Sequence, residues 1–91
     1  MNTPFTKSEG ARQIDQAIDL LRLEDYDSAI AQACTARGSP MTDAERVRAK
    51  YNPAMAAKDI IGQVVGDYWR RWQEESSAMV WFKETHQQPK R

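Results

Sequence analysis

Side chains able to do acid–base, nucleophilic or metal chemistry are few in this sequence. The only histidine, His86, and the only cysteine, Cys34, lie far apart and lack the spacing of a metal site. Asp15 and Asp19 lie four residues apart on a predicted helix, where an exposed carboxylate pair is ordinarily solvated charge. No phosphate-binding glycine loop, dinucleotide fingerprint or nucleophile elbow occurs. We therefore predict no enzymatic activity, no cofactor and no metal.

Charge is balanced overall but unevenly placed along the chain. The sequence holds 13 basic and 13 acidic residues, yet residues 1–45 carry four bases against eight acids and residues 46–91 nine against five. Acidic helices could pack beside basic ones, and the same polarity favours head-to-tail self-association. Alternatively, the basic segment is a surface for the phosphates of a nucleic acid or a small nucleotide. The candidate phosphate-binding residues are Arg46, Arg48, Lys50 and Lys58, with Arg70 and Arg71 extending the basic face.

An aromatic cluster over residues 68–82 is the most unusual local feature. Trp, Tyr, Arg and Met are the residue types enriched at protein–protein interfaces and their hot spots. Core packing is the alternative for part of the cluster, but residues 79–82 are four consecutive large apolar residues and cannot all face one core from one helix. We predict a protein-binding surface here, formed by Tyr68, Trp69, Arg70, Arg71, Trp72, Met79, Trp81 and Phe82.

Apolar periodicity and capping signals predict that helices position these residues. A capping box over residues 6–9 begins the first helix. Asp25 or Asp27 caps a second helix, which should end at Gly38. A further capping box, starting at Thr42, begins a third helix. No stretch alternates with the period of a strand, so the pattern predicts an all-α chain.

The last helix is predicted to be the longest. Asn52 and Pro53 end the third helix near Tyr51 and begin the fourth, since the residue before a proline leaves the α region. If the fourth helix continues to Lys83, it has about 31 residues and spans roughly 46 Å. Alternatively, residues 74–77 end it and cap a separate short segment.

Residues 25–33 resemble the start of the second helix of tetratricopeptide repeats and of helical HEPN domains. The shared pattern is Asp-Tyr followed by Ala-Ile and a further Ala at helical spacing. No second copy occurs at the repeat period, and the Arg-x-x-x-x-His motif of HEPN ribonucleases is absent, since Trp81 stands five positions before His86. The resemblance implies a helical hairpin and no activity.

These observations predict one all-α domain over residues 1–91, with flexible tails at residues 1–5 and 85–91. We expect a small bundle of three short-to-medium helices packed on one long C-terminal helix. A single cysteine, no secretory signal and no apolar stretch of membrane-spanning length predict a soluble cytoplasmic protein.

The predicted function is stoichiometric binding of another protein. A chain without a catalytic set but with an aromatic and basic helix suits an adaptor, an assembly factor or a virus-type inhibitor of host machinery. Self-association into a homo-oligomer is expected through the long C-terminal helix. The alternative is phosphate binding, to nucleic acid or a nucleotide, by the basic face of residues 46–71.

Overall fold

Five α-helices make up the computed structural model, which describes residues 8–86. In chain order they are α1 (Glu9–Arg22), α2 (Tyr26–Arg37), α3 (Asp43–Tyr51), α4 (Pro53–Trp72) and α5 (Ser77–His86). No strand occurs over this range. The prediction of an all-α chain is confirmed.

Short capping motifs set the ends of α2, α3 and the start of α4. The Asp25 carboxylate caps α2, which ends at Gly38 in the left-handed conformation with φ 87°. Thr42 and Glu45 form the predicted capping box of α3. The Asn52 side chain accepts a hydrogen bond from the Met55 amide in the first turn of α4. Pro53 suits the first position of this helix, because the N–H that proline lacks would have no partner there. These boundaries agree with the sequence prediction because each depends on a few adjacent residues.

The sequence leaves open whether the fourth helix continues to Lys83 or ends at residues 74–77, and the structure has the break. The chain leaves the helix after Trp72 and starts again at Ser77, so the alternative with a break is the one that forms. The Ser76 hydroxyl accepts a hydrogen bond from the Met79 amide at 2.9 Å and donates one to Asp15 of α1. This buried serine caps α5 and fixes it against α1. The predicted packing on one long C-terminal helix is therefore not confirmed, since the last helix, α5, has ten residues.

Near both ends of the described range, the structure differs from the sequence prediction. The hydroxyl of Ser8 caps α1, so the helix begins inside the capping box expected over residues 6–9. Residues 85–86, predicted as part of a flexible tail, form the last turn of α5. The other predicted tail residues, 1–5 and 87–91, lie outside the described range.

Helix α4 is the centre of the bundle and packs against the four other helices. α1 and α2 form an antiparallel hairpin on one side of it, and α5 folds back between α1 and α4. The largest fully buried side chains are Ile14, Ile18, Ile60, Ile61, Val64, Val65, Met79 and Phe82. Burial of each contributes about 1.5–3 kcal/mol. By contrast, α3 packs on α4 without a single buried residue.

None of the five helices combines the length and the apolarity needed to cross a bilayer. The longest, α4, has 20 residues but carries five charged side chains. Its apolar residues follow the helical period and face the other helices, as expected for an amphipathic helix.

Candidate protein-binding surface

Three of the eight residues predicted to bind a partner lie in the core. Trp72 is 5 % exposed, and Met79 and Phe82 are buried. The indole of Trp72 stacks on the Tyr68 ring, with 4.3 Å between centroids, and lies against Gly10 of α1. We therefore correct Trp72, Met79 and Phe82 to core residues, since a side chain covered by its own chain offers no surface to a partner.

The other two tryptophans of the predicted site are half-buried and each pairs with a cation of a neighbouring helix. The Lys83 ammonium lies 4.4 Å from the centroid of Trp69, which joins α5 to α4. The Arg22 guanidinium lies 3.8 Å from the centroid of Trp81, which joins α1 to α5. Such cation–π contacts contribute about 0.5–1 kcal/mol at partly exposed sites. Both indoles thus stabilise the bundle with one of their faces.

The predicted phosphate-binding residues are divided between paired and unpaired cations. The Arg46 guanidinium bonds to the Asp43 carboxylate one turn earlier in α3. The Arg48 guanidinium bonds to Asp59 and thereby connects α3 to α4. A carboxylate at each of these arginines cancels much of the charge that a phosphate would need.

Four of the predicted cations are exposed and have no carboxylate within ion-pair distance in the described part of the chain. Lys50 and Lys58 lie on either side of the α3–α4 junction, whereas Arg70 and Arg71 lie at the far end of α4. Lys58 and Arg70 lie twelve positions apart on α4, which is a rise of roughly 18 Å. The structure therefore does not join the two pairs in one basic site.

The remaining candidates for chemistry are placed as structural residues. Cys34 is half-buried in α2, and burial raises the pKa of its thiol, which keeps it protonated and poorly nucleophilic at neutral pH. The His86 ring stacks on Phe82 with 4.6 Å between centroids. Over residues 8–86, no three His, Cys, Asp or Glu side chains are grouped as metal ligands.

A nearly buried ion pair sets the orientation of α3. The Arg37 guanidinium, at the end of α2, donates to both carboxylate oxygens of Glu45 at 2.9 and 3.0 Å. It also donates to the side-chain oxygen of Gln63 on α4 at 3.0 Å and to the backbone oxygen of Pro40 at 2.8 Å. The two charged side chains are only 13 % and 16 % exposed. Because a bidentate pair has strict geometry, the face of α3 that carries Glu45 must face inward.

Glu45 has a second role at the start of the same helix. Its carboxylate accepts a hydrogen bond from the Thr42 amide at 2.9 Å, and its own amide donates to the Thr42 hydroxyl. The hydrogen bonds from Arg37 hold the pKa of Glu45 below its usual value, against the opposing effect of burial. The carboxylate is thus ionised at neutral pH and fixes α3 by charge.

The apolar stripe of α3 consequently faces outward. Ala44, Val47 and Tyr51 follow helical spacing along one face and are all exposed, while Glu45 and Ala49 are turned toward the bundle. Val47 is 57 % exposed and Tyr51 is 79 % exposed. Contiguous apolar surface of this kind marks interaction sites on folded proteins.

A further exposed apolar residue lies in the first turn of α4. Met55 is 47 % exposed and lies four residues after Tyr51, with only Asn52 between the two helices. We call the set Val47, Tyr51 and Met55 the α3–α4 stripe. Beside Met55 an open cleft between α4 and α5 is lined by Lys58, Phe82 and His86, among others.

The two unpaired lysines border this stripe. Lys50 lies three residues after Val47, and Lys58 lies three residues after Met55. Side chains three residues apart are neighbours on a helix surface. The stripe is therefore an apolar surface with a positively charged edge, a pattern that fits the apolar centre and polar rim of protein interfaces.

Sequence reasoning missed this surface, although α3 carried a signal. Its apolar residues at 44, 47 and 51 form a regular stripe, which would ordinarily be assigned to the core. The outward orientation depends on the pairing of Arg37 with Glu45, eight residues apart and across a turn. The sequence feature that could have indicated this orientation is Glu45, an acidic residue on the side of α3 away from Val47 and Tyr51.

Comparison of the chain with protein-family models, with curated proteins and with solved structures finds no match. Its function is therefore inferred from the geometry of the chain itself.

Proposed function

We propose that this chain acts by binding another protein through the α3–α4 stripe, in a stoichiometric and non-catalytic role. The observation that carries the proposal is that Val47 and Tyr51 of α3 are exposed to solvent while the helix is fixed to the bundle by an ion pair. A partner that covers Val47, Tyr51 and Met55 removes apolar surface from water, which is the main driving force of association. An adaptor, an assembly factor and an inhibitor all act in this way.

The chemistry of the surface defines the partner. Aromatic and methionine side chains favour a partner helix or loop that presents apolar side chains of its own. Lys50 and Lys58 at the edge favour carboxylates next to that apolar segment. Exposed charges at the rim contribute mainly to the association rate and its salt dependence, and the apolar centre to the affinity. We therefore propose a partner segment that is apolar with acidic flanks.

Phosphate binding is the second candidate, and the unpaired lysines are the observation in its favour. Two unpaired lysines supply few phosphate contacts, whereas nucleic-acid affinity grows with the number of phosphates neutralised. Arg46 and Arg48, which would enlarge the site, already bond to carboxylates. The apolar stripe therefore ranks above the basic face.

Protein capture from the source cell's lysate, followed by titration with the purified partner, tests the proposal. The test variant is Val47→Ser with Tyr51→Ser, which removes apolar groups from two exposed positions without touching the core. The control is Ala31→Ser, because Ala31 is exposed in α2 and lies outside the stripe. Circular dichroism confirms that both variants keep the helical fold.

The wild type and the control variant should retain one protein in stoichiometric amount at high salt. The stripe variant should weaken binding of that purified protein by at least about tenfold, the effect expected for loss of an interface hot spot. Equal retention by the stripe variant would overturn the assignment of this surface. Retention of nucleic acid at moderate salt, lost at high salt, would favour the phosphate candidate instead.

A further inference from the structure

The described part of the chain exposes four large apolar side chains, and only three belong to the α3–α4 stripe. The fourth is Leu23, which is 75 % exposed in the turn between α1 and α2. Any contact that removes so exposed a leucine side chain from water is favourable in free energy. The turn therefore presents an isolated apolar side chain at one tip of the helical hairpin.

Three acidic residues follow this leucine within four positions of the chain. Glu24, Asp25 and Asp27 are exposed, and in the described range no cation lies within ion-pair distance of any of them. The nearest arginine in sequence, Arg22, places its guanidinium over the Trp81 ring. We call Leu23, Glu24, Asp25 and Asp27 the acidic tip. It combines an apolar side chain with negative charge, the partner chemistry that the α3–α4 stripe requires.

The backbone of the acidic tip is held in one conformation. Glu24 adopts the left-handed region with φ 63°. The Glu24 amide donates to the Leu21 oxygen and the Asp25 amide to the Leu20 oxygen, both at 3.0 Å, which closes α1 in a Schellman motif. Asp25 also caps α2. Leu23 is therefore presented without a large loss of backbone entropy on contact.

We propose that the acidic tip of one copy binds the α3–α4 stripe of a second copy. Leu23 would pack among Val47, Tyr51 and Met55, and the tip carboxylates would lie beside Lys50 and Lys58. This names an occupant for the binding surface assigned under the proposed function and rests on that assignment. The contact is small and partly ionic, so it is weak, salt-sensitive and open to displacement by a partner with a larger apolar segment.

Two different surfaces of the same chain meet in this contact, so the association is head-to-tail. Such a contact leaves a free tip at one end and a free stripe at the other, and it continues into chains or rings of more than two copies. A symmetric contact of stripe with stripe would instead stop at a dimer. The two arrangements predict different masses when a variant of the tip is mixed with a variant of the stripe.

Sedimentation of mixed variants tests the head-to-tail contact. The tip variant is Leu23→Ser with Glu24→Lys, and the stripe variant is Tyr51→Ser with Lys50→Glu. The four positions are exposed. Glu84→Lys, at an exposed position of α5 outside both surfaces, is the control that should associate like the wild type. Circular dichroism verifies that each variant keeps its helical content.

The wild type should increase in average mass from 10.4 kDa as its concentration rises at low salt, and should return toward the monomer at high salt. Each variant alone should remain a monomer. Their equimolar mixture should reach twice the monomer mass and no more, because only the intact stripe of the tip variant can meet the intact tip of the stripe variant.

Three results would overturn the head-to-tail contact. The first is a wild type that stays monomeric at low salt and high concentration. The second is a tip variant that associates as the wild type does, which would mean that the stripe binds another surface. The third is a mixture of monomeric variants that forms no dimer. None of these results bears on the proposed binding of another protein by the stripe. That proposal is overturned if the variant Val47→Ser with Tyr51→Ser retains the captured protein as the wild type does.

Discussion

Substitution of Gly10 by alanine tests whether Trp72 belongs to the core or to a partner surface. A Cβ atom on Gly10 would lie 2.2 Å from Cζ2 and 2.4 Å from Cη2 of the Trp72 indole, where contacts are ordinarily longer than 3.4 Å. The indole must therefore move by about 1 Å or more. It is covered on one side by the Tyr68 ring at 4.3 Å and is 5 % exposed, so it has little free space to enter.

The size of the effect follows from two opposing contributions. Overpacking a closely packed site costs about 1–3 kcal/mol, and the 2.2 Å approach places Gly10→Ala toward the upper end. Alanine in place of glycine in a helix gains up to about 1 kcal/mol, and less in the first turn, where Gly10 lies. The net loss of stability is about 1–2 kcal/mol. For a domain of this length, that lowers the melting temperature by roughly 4–16 °C.

Gly66→Ala is the matched control. Gly66 lies in the middle of α4 and is exposed, and a Cβ atom added there would meet nothing within 4 Å outside its own helix. The same chemical change should there stabilise the fold by up to about 1 kcal/mol. Thermal and urea unfolding followed by circular dichroism measure both variants, and tryptophan fluorescence reports movement of the indole. If Gly10→Ala were as stable as Gly66→Ala, Trp72 would not pack on α1 and the aromatic interface would return as a candidate.

Two further predictions concern the charged pair under α3 and the turn after α1. Glu45, whose pKa is lowered by Arg37, stabilises the fold above its unfolded-state pKa of about 4.3, and this contribution disappears as the pH falls through the lower folded-state pKa. The stability difference between wild type and Glu45→Gln should therefore shrink from about pH 6 to about pH 3 in urea titrations, and a constant difference would contradict the ion pair. Glu24→Gly should raise the free energy of unfolding by about 0.5–1 kcal/mol, since φ 63° strains any side chain but not glycine; a lower melting temperature would refute the left-handed cap.

Sequence reasoning succeeded wherever a helix end depends on neighbouring residues. The capping box at Thr42, the break at Asn52 and Pro53 and the stop at Gly38 all agree with the structure. Each is a local motif whose hydrogen bonds close within four residues. The break between α4 and α5 is different, because Ser76 is fixed by Asp15, 61 residues away. No local pattern can decide between a continuous and a broken helix when a tertiary hydrogen bond makes the difference.

Part of the predicted protein-binding surface is buried for a related reason. Residue type predicts an interface over residues 68–82, but Trp72, Met79 and Phe82 are buried in the core. The break before α5 lets that helix turn its apolar face inward, so more of the cluster is buried than one continuous helix could bury. The apolar face left outside belongs to α3, whose rotation depends on one side-chain pair.

The orientation of α3 is the strongest physical argument for a binding role. Rotation of α3 by half a turn would bury Val47 and Tyr51 against α4, and each fully buried side chain of this size contributes about 1.5–3 kcal/mol. The rotation would also expose Ala49 and separate Glu45 from Arg37, which would leave a charge without its partner. Breaking such a pair costs up to about 3–5 kcal/mol when it is fully buried, so the ion pair offsets much of the apolar gain. A polar contact thus holds α3 in place and leaves Val47 and Tyr51 exposed, so a partner that covered them would gain the free energy that folding does not.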